Sequence, residues 1–455
     1  MNYEKILKDS SKNTMSEIIK DLIQEHQPKR EKMLRLYRAY TAESVPIFYR
    51  RFDDPNKINN RLNNDYRKDI IDSIVGYLFG QPIAYQIDSD LYKEEDYERF
   101  LWEIARFKQR NNIEDLDAET GKMASICGYG ARLCYIDRDG FERVMNVDPW
   151  EVIFVEDASI DEPQFAIRYY PMVMKEGKAE TERFRAEVYD DKNITFYIQN
   201  NAGEYVLDPT VEKNPIPHMF KYVPLIKFLN NEEEKGDFEG VERLIDAYDR
   251  LLSDAQNEIE EFRQAYMVFT GDLEIKKETI QAARRSGAFQ LPQGASLSFL
   301  TKSLNDTFLE NHKKTLNENI YKFSQTVDMR DEKFSGAAQS GESRKWKLLP
   351  MENRAIIKER KFSKGIRQMF KVICSAWQVK GIGLNYLDIY WNFKRNIPVD
   401  IKYIADAVPN LKGIVSDETL LAQIPFVDDP QWEIEKLNQS AADYIPLGEA
   451  EEEAE

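Results

Sequence analysis

VERLIDAYDRLLSDAQNEIEEFRQAY, Val241–Tyr266, is the stretch whose reading decides the fold. Leu244, Tyr248, Leu251, Ala255, Ile259, Phe262 and Tyr266 recur at steps of three and four. That spacing gathers side chains on one face of an α-helix, not of a strand. At 1.5 Å rise per residue the helix runs roughly 35–40 Å. Such a length asks for a neighbour along its whole course.

Two more segments carry one stripe each. Leu304, Phe308, Leu316, Ile320, Phe323 and Val327 mark a second helix; Leu349, Ile356, Phe362, Ile366, Phe370, Ile373 and Trp377 mark a third. Pro350 falls early in the third, where it predicts a kink or a start. Between the first two lies an insert, Met267 to Lys302, with a β-like Met267–Thr270, a helical Lys277–Arg285, and a hairpin from Phe289–Leu291 to Ser296–Phe299. Roughly 35 residues bury too little surface to stand alone, so the insert is expected to pack against copies of itself. The first helix is acidic (Glu242, Asp246, Asp249, Asp254, Glu258, Glu260, Glu261) and the third basic (Arg344, Lys345, Lys347, Arg354, Lys358, Arg360, Lys361, Lys364, Arg367, Lys371). Opposite signs fit pairing within a subunit or between copies. They fit equally two solvated faces.

The 455 residues suffice for two or more domains, and a net charge of −17 argues against tight wrapping of nucleic acid. Cys127, Cys134 and Cys374 have no metal-ligand spacing and read as thiols of a reducing compartment. Met1–Lys12 lacks the apolar core of a secretory signal, and no apolar run approaches the ~18 residues of a membrane span. A soluble intracellular chain is the expectation.

To about Asn112 the pattern is helical. Ile18, Leu22 and Ile23 form one stretch, and Met33, Leu34, Tyr37 and Tyr40 another after Pro28. The asparagine-rich Asn59–Tyr66 reads as a loop with a cap before a helix that ends at Gly80; Tyr97, Phe100, Leu101, Ile104 and Phe107 form the next helix. From Gly128 the period changes. Ala131–Ile136, Phe141–Val147 across an Asp137–Gly140 turn, Val152–Val155, Phe165–Tyr170, Phe184–Tyr189, Thr195–Gln199 and Tyr205–Leu207 predict an antiparallel meander. Beyond Trp377 come a β-like Leu387–Phe393, a helical Ile401–Ala407, and an acidic tail from Gly448 that is expected to be disordered. The class is α+β, mostly helical.

Chemistry is sparse. Gly336–Ser343 has the spacing of a phosphate loop, but Glu342 stands where the lysine belongs and a helix precedes it instead of a strand. A flexible linker explains it better. His26, His218 and His312 lie in separate regions; Asp53-Asp54 and Asp428-Asp429 sit beside prolines as turn residues; Asn193-Ile194-Thr195 is a sequon in the wrong compartment. No enzyme, cofactor or metal is predicted.

Several strings resemble the portal proteins of tailed bacteriophages, in particular siphoviruses of Gram-positive hosts. They are Asn59–Tyr66 with Val75–Pro82, Gly341–Leu348, Trp391–Pro398 and Gly413–Leu420. The resemblance implies a portal fold of wing (1–237), stem helices (238–266 and 303–328), clip (267–302), tunnel loop (329–341), a long kinked helix returning to the wing (342–407) and crown (408–455). It implies a homo-oligomeric ring, a dodecamer, at one capsid vertex of the virion, assembled in the host cytoplasm. Double-stranded DNA passes through it without sequence recognition. Terminase, a head-tail connector or adaptor, and the major capsid and scaffolding proteins are the implied partners; no membrane is. Arg330, Lys333, Ser335, Gly336, Gln339, Gly341, Arg344 and Lys345 would line the DNA channel, and Lys276, Lys277, Arg284, Arg285 and Gln290 would dock partners on the clip. The alternatives are a helical scaffold or adaptor of lower order and a nucleotide-dependent enzyme.

Overall fold

The computed structural model describes residues 14–157, 160–176, 179–262, 266–270, 296–300, 306–328, 341–397, 408–422, 424, 427 and 430–442. Chain order begins with helices α1 (Met15–Tyr40) and α2 (Tyr66–Phe79), strand β1 (Ala84–Ile87), and helices α3 (Glu94–Asn111) and α4 (Ile113–Cys127). Strands β2 (Tyr129–Ile136), β3 (Glu142–Val147), β4 (Val152–Asp157), β5 (Ile160–Glu176), β6 (Ala179–Tyr189), β7 (Asn193–Gln199), β8 (Tyr205–Leu207), β9 (Ile216–Pro217) and β10 (Leu225–Leu229) follow. Then come α5 (Glu242–Phe262), β11 (Tyr266–Thr270), β12 (Ser296–Leu300), α6 (Asp306–Ser324), α7 (Gly341–Val379), β13 (Ile389–Asn392), α8 (Asp417–Ala422) and α9 (Pro430–Ala442). The result is an α+β chain of helices and antiparallel sheets. It divides into two units: Met1–Leu34, Ile71–Asp237 and Val327–Glu455 in one, Arg35–Ile70 and Phe238–Thr326 in the other.

The larger unit is organised around α7. Leu348, Met351, Ala355, Phe362, Ile366, Met369, Phe370, Ile373 and Trp377 form its buried stripe. Each large apolar side chain so buried contributes about 1.5–3 kcal/mol. The stripe departs from expectation at its start: Leu348 is buried and Leu349 is exposed, because Met351 and Ala355 set the inward face. The helix also runs through Pro350 and begins at Gly341, so the predicted start at Pro350 is not observed. Burial on both sides of the proline offsets the lost backbone bond. Phe362 is ringed by Phe79, Phe228 and Phe393 at centroid distances of 4.8, 4.7 and 6.1 Å. A Cβ on Gly365 would come within 2.5 Å of the Phe228 ring, so β10 approaches α7 this closely only over a glycine.

Pro28 likewise does not end α1. His26, Met33 and Leu36 carry its buried face past the proline. Ile18, Ile19, Leu22 and Ile23 pack on Ile153, Val155, Ile167, Tyr169 and Val188 of the large sheet.

The predicted meander is two sheets. β4 to β8 pair in sequence, with β9 added on β7, whereas β2 and β3 form a separate sheet with β10. Pro149 opens a 3-10 turn between β3 and β4; lacking an N–H, it stops the ladder and redirects the chain. A third sheet, β1 with β13, joins Ala84–Ile87 to Asn392–Ile389. Arg132 is wholly buried where β2 meets α4, donating to Asp117 (2.9 Å), Thr120 (2.7 Å) and Asn146 (3.1 Å).

In the smaller unit, α5 ends at Phe262, and Tyr266, expected to be helical, opens β11. Ser296–Leu300 pairs with Tyr266–Thr270; the expected hairpin partner Phe289–Leu291 lies outside the described residues. The buried face of α5 is also unexpected. Ile245, Tyr248, Asp249, Ser253 and Asn257 are buried, while Ile259 of the apolar stripe is 47% exposed. On α6, Leu316 and Ile320 are buried and Phe308 and Phe323 are not. Each charge run finds counterions inside its own unit. Glu242 pairs with Arg35, Asp254 with Arg50 and Asp246 with Arg67. Arg354 and Lys358 pair with Asp237, and Lys361 with Glu232.

Candidate functional site

The asparagine-rich segment expected as a loop is a strap on α5. The Asn60 N–H donates to Asn257 Oδ1 (2.7 Å), the Leu62 N–H to Ser253 Oγ (3.0 Å) and the Asn64 N–H to Asp249 Oδ1 (2.9 Å). The Asn60 and Asn64 amides repeat the bonds to Asn257 and Asp249, at 2.9 Å each. Two residues of extended chain advance about 6.6 Å and four of helix about 6.0 Å, so alternate strap amides meet every fourth α5 side chain. Backbone donors that would otherwise be orphaned are paid for by a polar helix face.

The strap ends at Arg67, 2% exposed, whose guanidinium meets Asp246 at 2.5 Å and Asp249 at 3.7 Å. Burial pushes the Asp249 carboxyl up, against the pull of Asn64 and Arg67. Next to Arg67, the Tyr66 ring stands edge-on to Tyr248 (5.0 Å) and Tyr321 (5.8 Å), and its hydroxyl donates to Asn317 at 2.5 Å. Tyr321 in turn donates to Asp69 at 2.8 Å.

A second polar hub holds α7 in the larger unit. The Lys358 ammonium is buried and donates to Asp237 (2.5 Å), Asn230 (2.5 Å) and Ser125 (2.6 Å), which uses all three of its hydrogens. Asp237 also accepts from Arg354 at 2.7 Å and from Asn230 at 2.8 Å. Burial alone would raise Asp237, but Lys358 and Arg354 hold it below the usual carboxylate range. The Lys358 ammonium, with every donor engaged, is an anchor rather than a base. Six residues before it and one after, Glu352 and Glu359 clamp Arg395 at 2.9 and 2.7 Å, and Glu352 accepts from Tyr77 at 2.5 Å.

The chemistry elsewhere is quiet. His26 Nδ1 shares a hydrogen bond with Tyr169 Oη (2.8 Å), His218 Nε2 with the Asp190 carbonyl (2.9 Å), and His312 stacks on Phe308. Cys127, Cys134 and Cys374 are buried free thiols, and burial pushes Cys134 and Cys374 up to about 12. Among the described residues no His, Cys, Asp and Glu group could hold a metal, and no helix is long and apolar enough to cross a membrane.

Of the predicted channel residues, Arg330, Lys333, Ser335, Gly336 and Gln339 lie outside the described residues, as do the docking residues Lys276, Lys277, Arg284, Arg285 and Gln290. Gly341, Arg344 and Lys345 lie in the first turns of α7, with their side chains outside the description. The stretch from 329 to 340, with the phosphate-loop spacing, lies outside the described residues; α6 ends at Ser324 before it and α7 begins at Gly341 after it. The strap and the Lys358 hub are absent from the predicted set. Their signals were Asn60, Leu62 and Asn64 at intervals of two, opposite Asp249, Ser253 and Asn257 at intervals of four.

A family profile described as "Phage portal protein, SPP1 Gp6-like" matches residues 19–446. The chain belongs to this family. The portal protein of Bacillus phage SPP1 is 27% identical over 454 residues, covering 94% of this chain and 87% of that protein. The portal protein of Clostridium phage phiCD119 is 24% identical over 397 residues, covering 83% of this chain and 84% of that one. The scaffold-or-adaptor and nucleotide-enzyme alternatives give way to a phage portal protein, a structural component of an oligomeric capsid-vertex assembly. Ring formation and a DNA channel are typical of the family. In this portal chain the strap and the Lys358 hub brace the two long helical regions, α5 and α7, each within its own unit.

Proposed function

We propose that twelve copies of this chain close into a ring at one capsid vertex, through which double-stranded DNA is packaged and later ejected. Residues 1–237 and the return of 342–407 serve as wing, 238–266 and 303–328 as stem, 267–302 as clip, 329–341 as tunnel loop and 408–455 as crown. Arg330, Lys333, Ser335, Gly336, Gln339, Gly341, Arg344 and Lys345 meet DNA briefly and without sequence preference. Lys276, Lys277, Arg284, Arg285 and Gln290 dock terminase on one occasion and a head-tail connector on another. The major capsid and scaffolding proteins meet the ring during assembly in the host cytoplasm.

The match over residues 19–446 carries this reading. Electrostatics supports it: each tight phosphate pairing would add a barrier to sliding, and a chain of net charge −17 makes few. The ring hydrolyses nothing; a separate terminase supplies the energy. Negative-stain images of the purified chain at micromolar concentration should show closed rings. Fields of monomers and dimers alone would contradict the proposal.

A further inference from the structure

Helix α3 and the β2–β3 hairpin carry two exposed aromatic rings, each with an arginine lying over it. The Arg106 guanidinium sits 5.1 Å from the centroid of Trp102, which is 54% exposed. One turn on, Arg110 sits 4.2 Å from Phe141, 44% exposed, and the Lys380 ammonium lies 5.6 Å from the same ring. The turn fixes Phe141 in place: Asp137 Oδ1 accepts from the N–H groups of Asp139 (3.0 Å) and Phe141 (2.8 Å). Behind the ring, buried Glu142 lies 2.5 Å from Lys380 and 3.9 Å from Arg110 and steadies both cations. All of these residues belong to the larger unit. The helix macrodipole accounts for Glu94, Glu95 and Asp96 in the first turn of α3 and for Lys108 and Arg110 in its last. It does not account for an exposed indole midway along the helix.

We infer that this face docks an acidic amphipathic helix of a partner protein. A stacked guanidinium keeps its N–H groups in its own plane, where they can take a carboxylate in two parallel bonds. Arg106 and Arg110 are four residues apart, about 6 Å along the axis. That spacing matches glutamates or aspartates four apart on one face of a second helix. Trp102 and Phe141 supply the apolar contact beside those pairs, and Trp and Arg are the residue types that carry most of the energy in protein interfaces. In a chain of net charge −17 these cations are a local exception, and complementarity gives the partner's sign. Duplex DNA fits less well. Its phosphates run on toward half-buried Glu103 and the acidic first turn of α3, whereas a helix can change sign along its length. The rings that could stack on bases already carry cations.

The probe is a fluorescein-labelled, helix-forming peptide with glutamates four residues apart and leucines beside them, titrated with the full-length chain and read by anisotropy. The parent chain should bind it saturably at micromolar concentration. W102A with R106Q, both at exposed positions, should weaken binding at least tenfold with the circular dichroism unchanged. K192Q, which removes an exposed cation elsewhere, should leave it as it was. No binding by the parent, or equal binding by W102A with R106Q, would overturn the inference. So would equal binding of a peptide of the same composition with its glutamates shuffled off the four-residue spacing. Tighter binding of a duplex oligonucleotide through the same two side chains would hand the face to nucleic acid. A change of oligomeric state in W102A with R106Q would hand it to a second copy, and either result overturns the docking of a partner helix.

Discussion

Asp237 Oδ2 lies 2.5 Å from Lys358 Nζ, a buried ion pair that ties the segment leading into α5 to the middle of α7. Both groups are almost wholly buried, and Asp237, Asn230 and Ser125 satisfy the ammonium completely. Removing the ammonium leaves the buried Asp237 with Arg354 as its remaining cation and takes a donor from Asn230 and Ser125. Lys358→Met should destabilise the larger unit by about 3–5 kcal/mol. Lys361→Met, which breaks the exposed pair with Glu232, should cost about 0–1 kcal/mol. Urea unfolding of both variants checks the contrast; equal midpoints would remove the hub from the account.

The strap predicts a graded series on α5. Ser253→Ala orphans one backbone N–H, that of Leu62, and should cost about 1 kcal/mol. Asp249→Ala removes the acceptor of two Asn64 bonds and a counter-charge of buried Arg67, and should cost about 3–5 kcal/mol. Hydrogen exchange at the amides of Asn60, Leu62 and Asn64 reads the same order. Uniformly fast exchange in the unaltered chain would mean that the strap is not seated.

The strap also shows what the sequence yields to reading and what it hides. Period and punctuation revealed α2, α3, seven strands and the long α7, because apolar spacing reports a helix or strand that faces a core. The same rule misread α5. Its apolar stripe at Leu251, Ala255 and Ile259 is the obvious one, yet Asp249, Ser253 and Asn257 are what the fold buries. Hydrophobic spacing carries no trace of a polar face whose partner is an irregular segment nearly 200 residues away. The 3-10 turn at Pro149 was visible as a proline, but the split of one meander into two sheets depends on β10, which pairs with β2 from far along the chain. Leu348 and Leu349 are adjacent leucines, and only Met351 and Ala355 decide which turns inward.

His26 predicts a pH dependence. Burial first, with Lys29 and Arg30 adding to it, lowers its pKa to about 4 from an ordinary 6.5. The neutral ring is the folded form, so its contribution is complete above pH 6.5 and is lost as pH falls toward 4. The shift is worth about 3 kcal/mol. His26→Gln should flatten the fall in urea midpoint between pH 6.5 and 4.5. An unchanged slope would place the acid sensitivity in other groups.

Gly365→Ala would set a Cβ 2.5 Å from the Phe228 ring. The aromatic cluster around Phe362 leaves little room to yield, and overpacking of this kind costs about 1–3 kcal/mol. A thermal melt of the variant matching the parent would show that β10 and α7 are not in close contact.

Deleting Ala337–Ser340 should leave ring assembly intact and impair DNA packaging or retention, if 329–341 forms the constriction. Glu342→Lys, which restores the phosphate-loop lysine, should create no ATPase activity, because a helix precedes the loop. Packaging at the parental rate with the shortened loop would move the constriction elsewhere.

Native mass spectrometry of the full-length chain tests the central claim most directly. Twelve chains of 53.4 kDa give a closed assembly of about 640 kDa. The account predicts that mass as the dominant species at micromolar concentration, shedding single chains on collisional activation. A spectrum of monomers and dimers, with no higher closed assembly across salt and concentration, would contradict it.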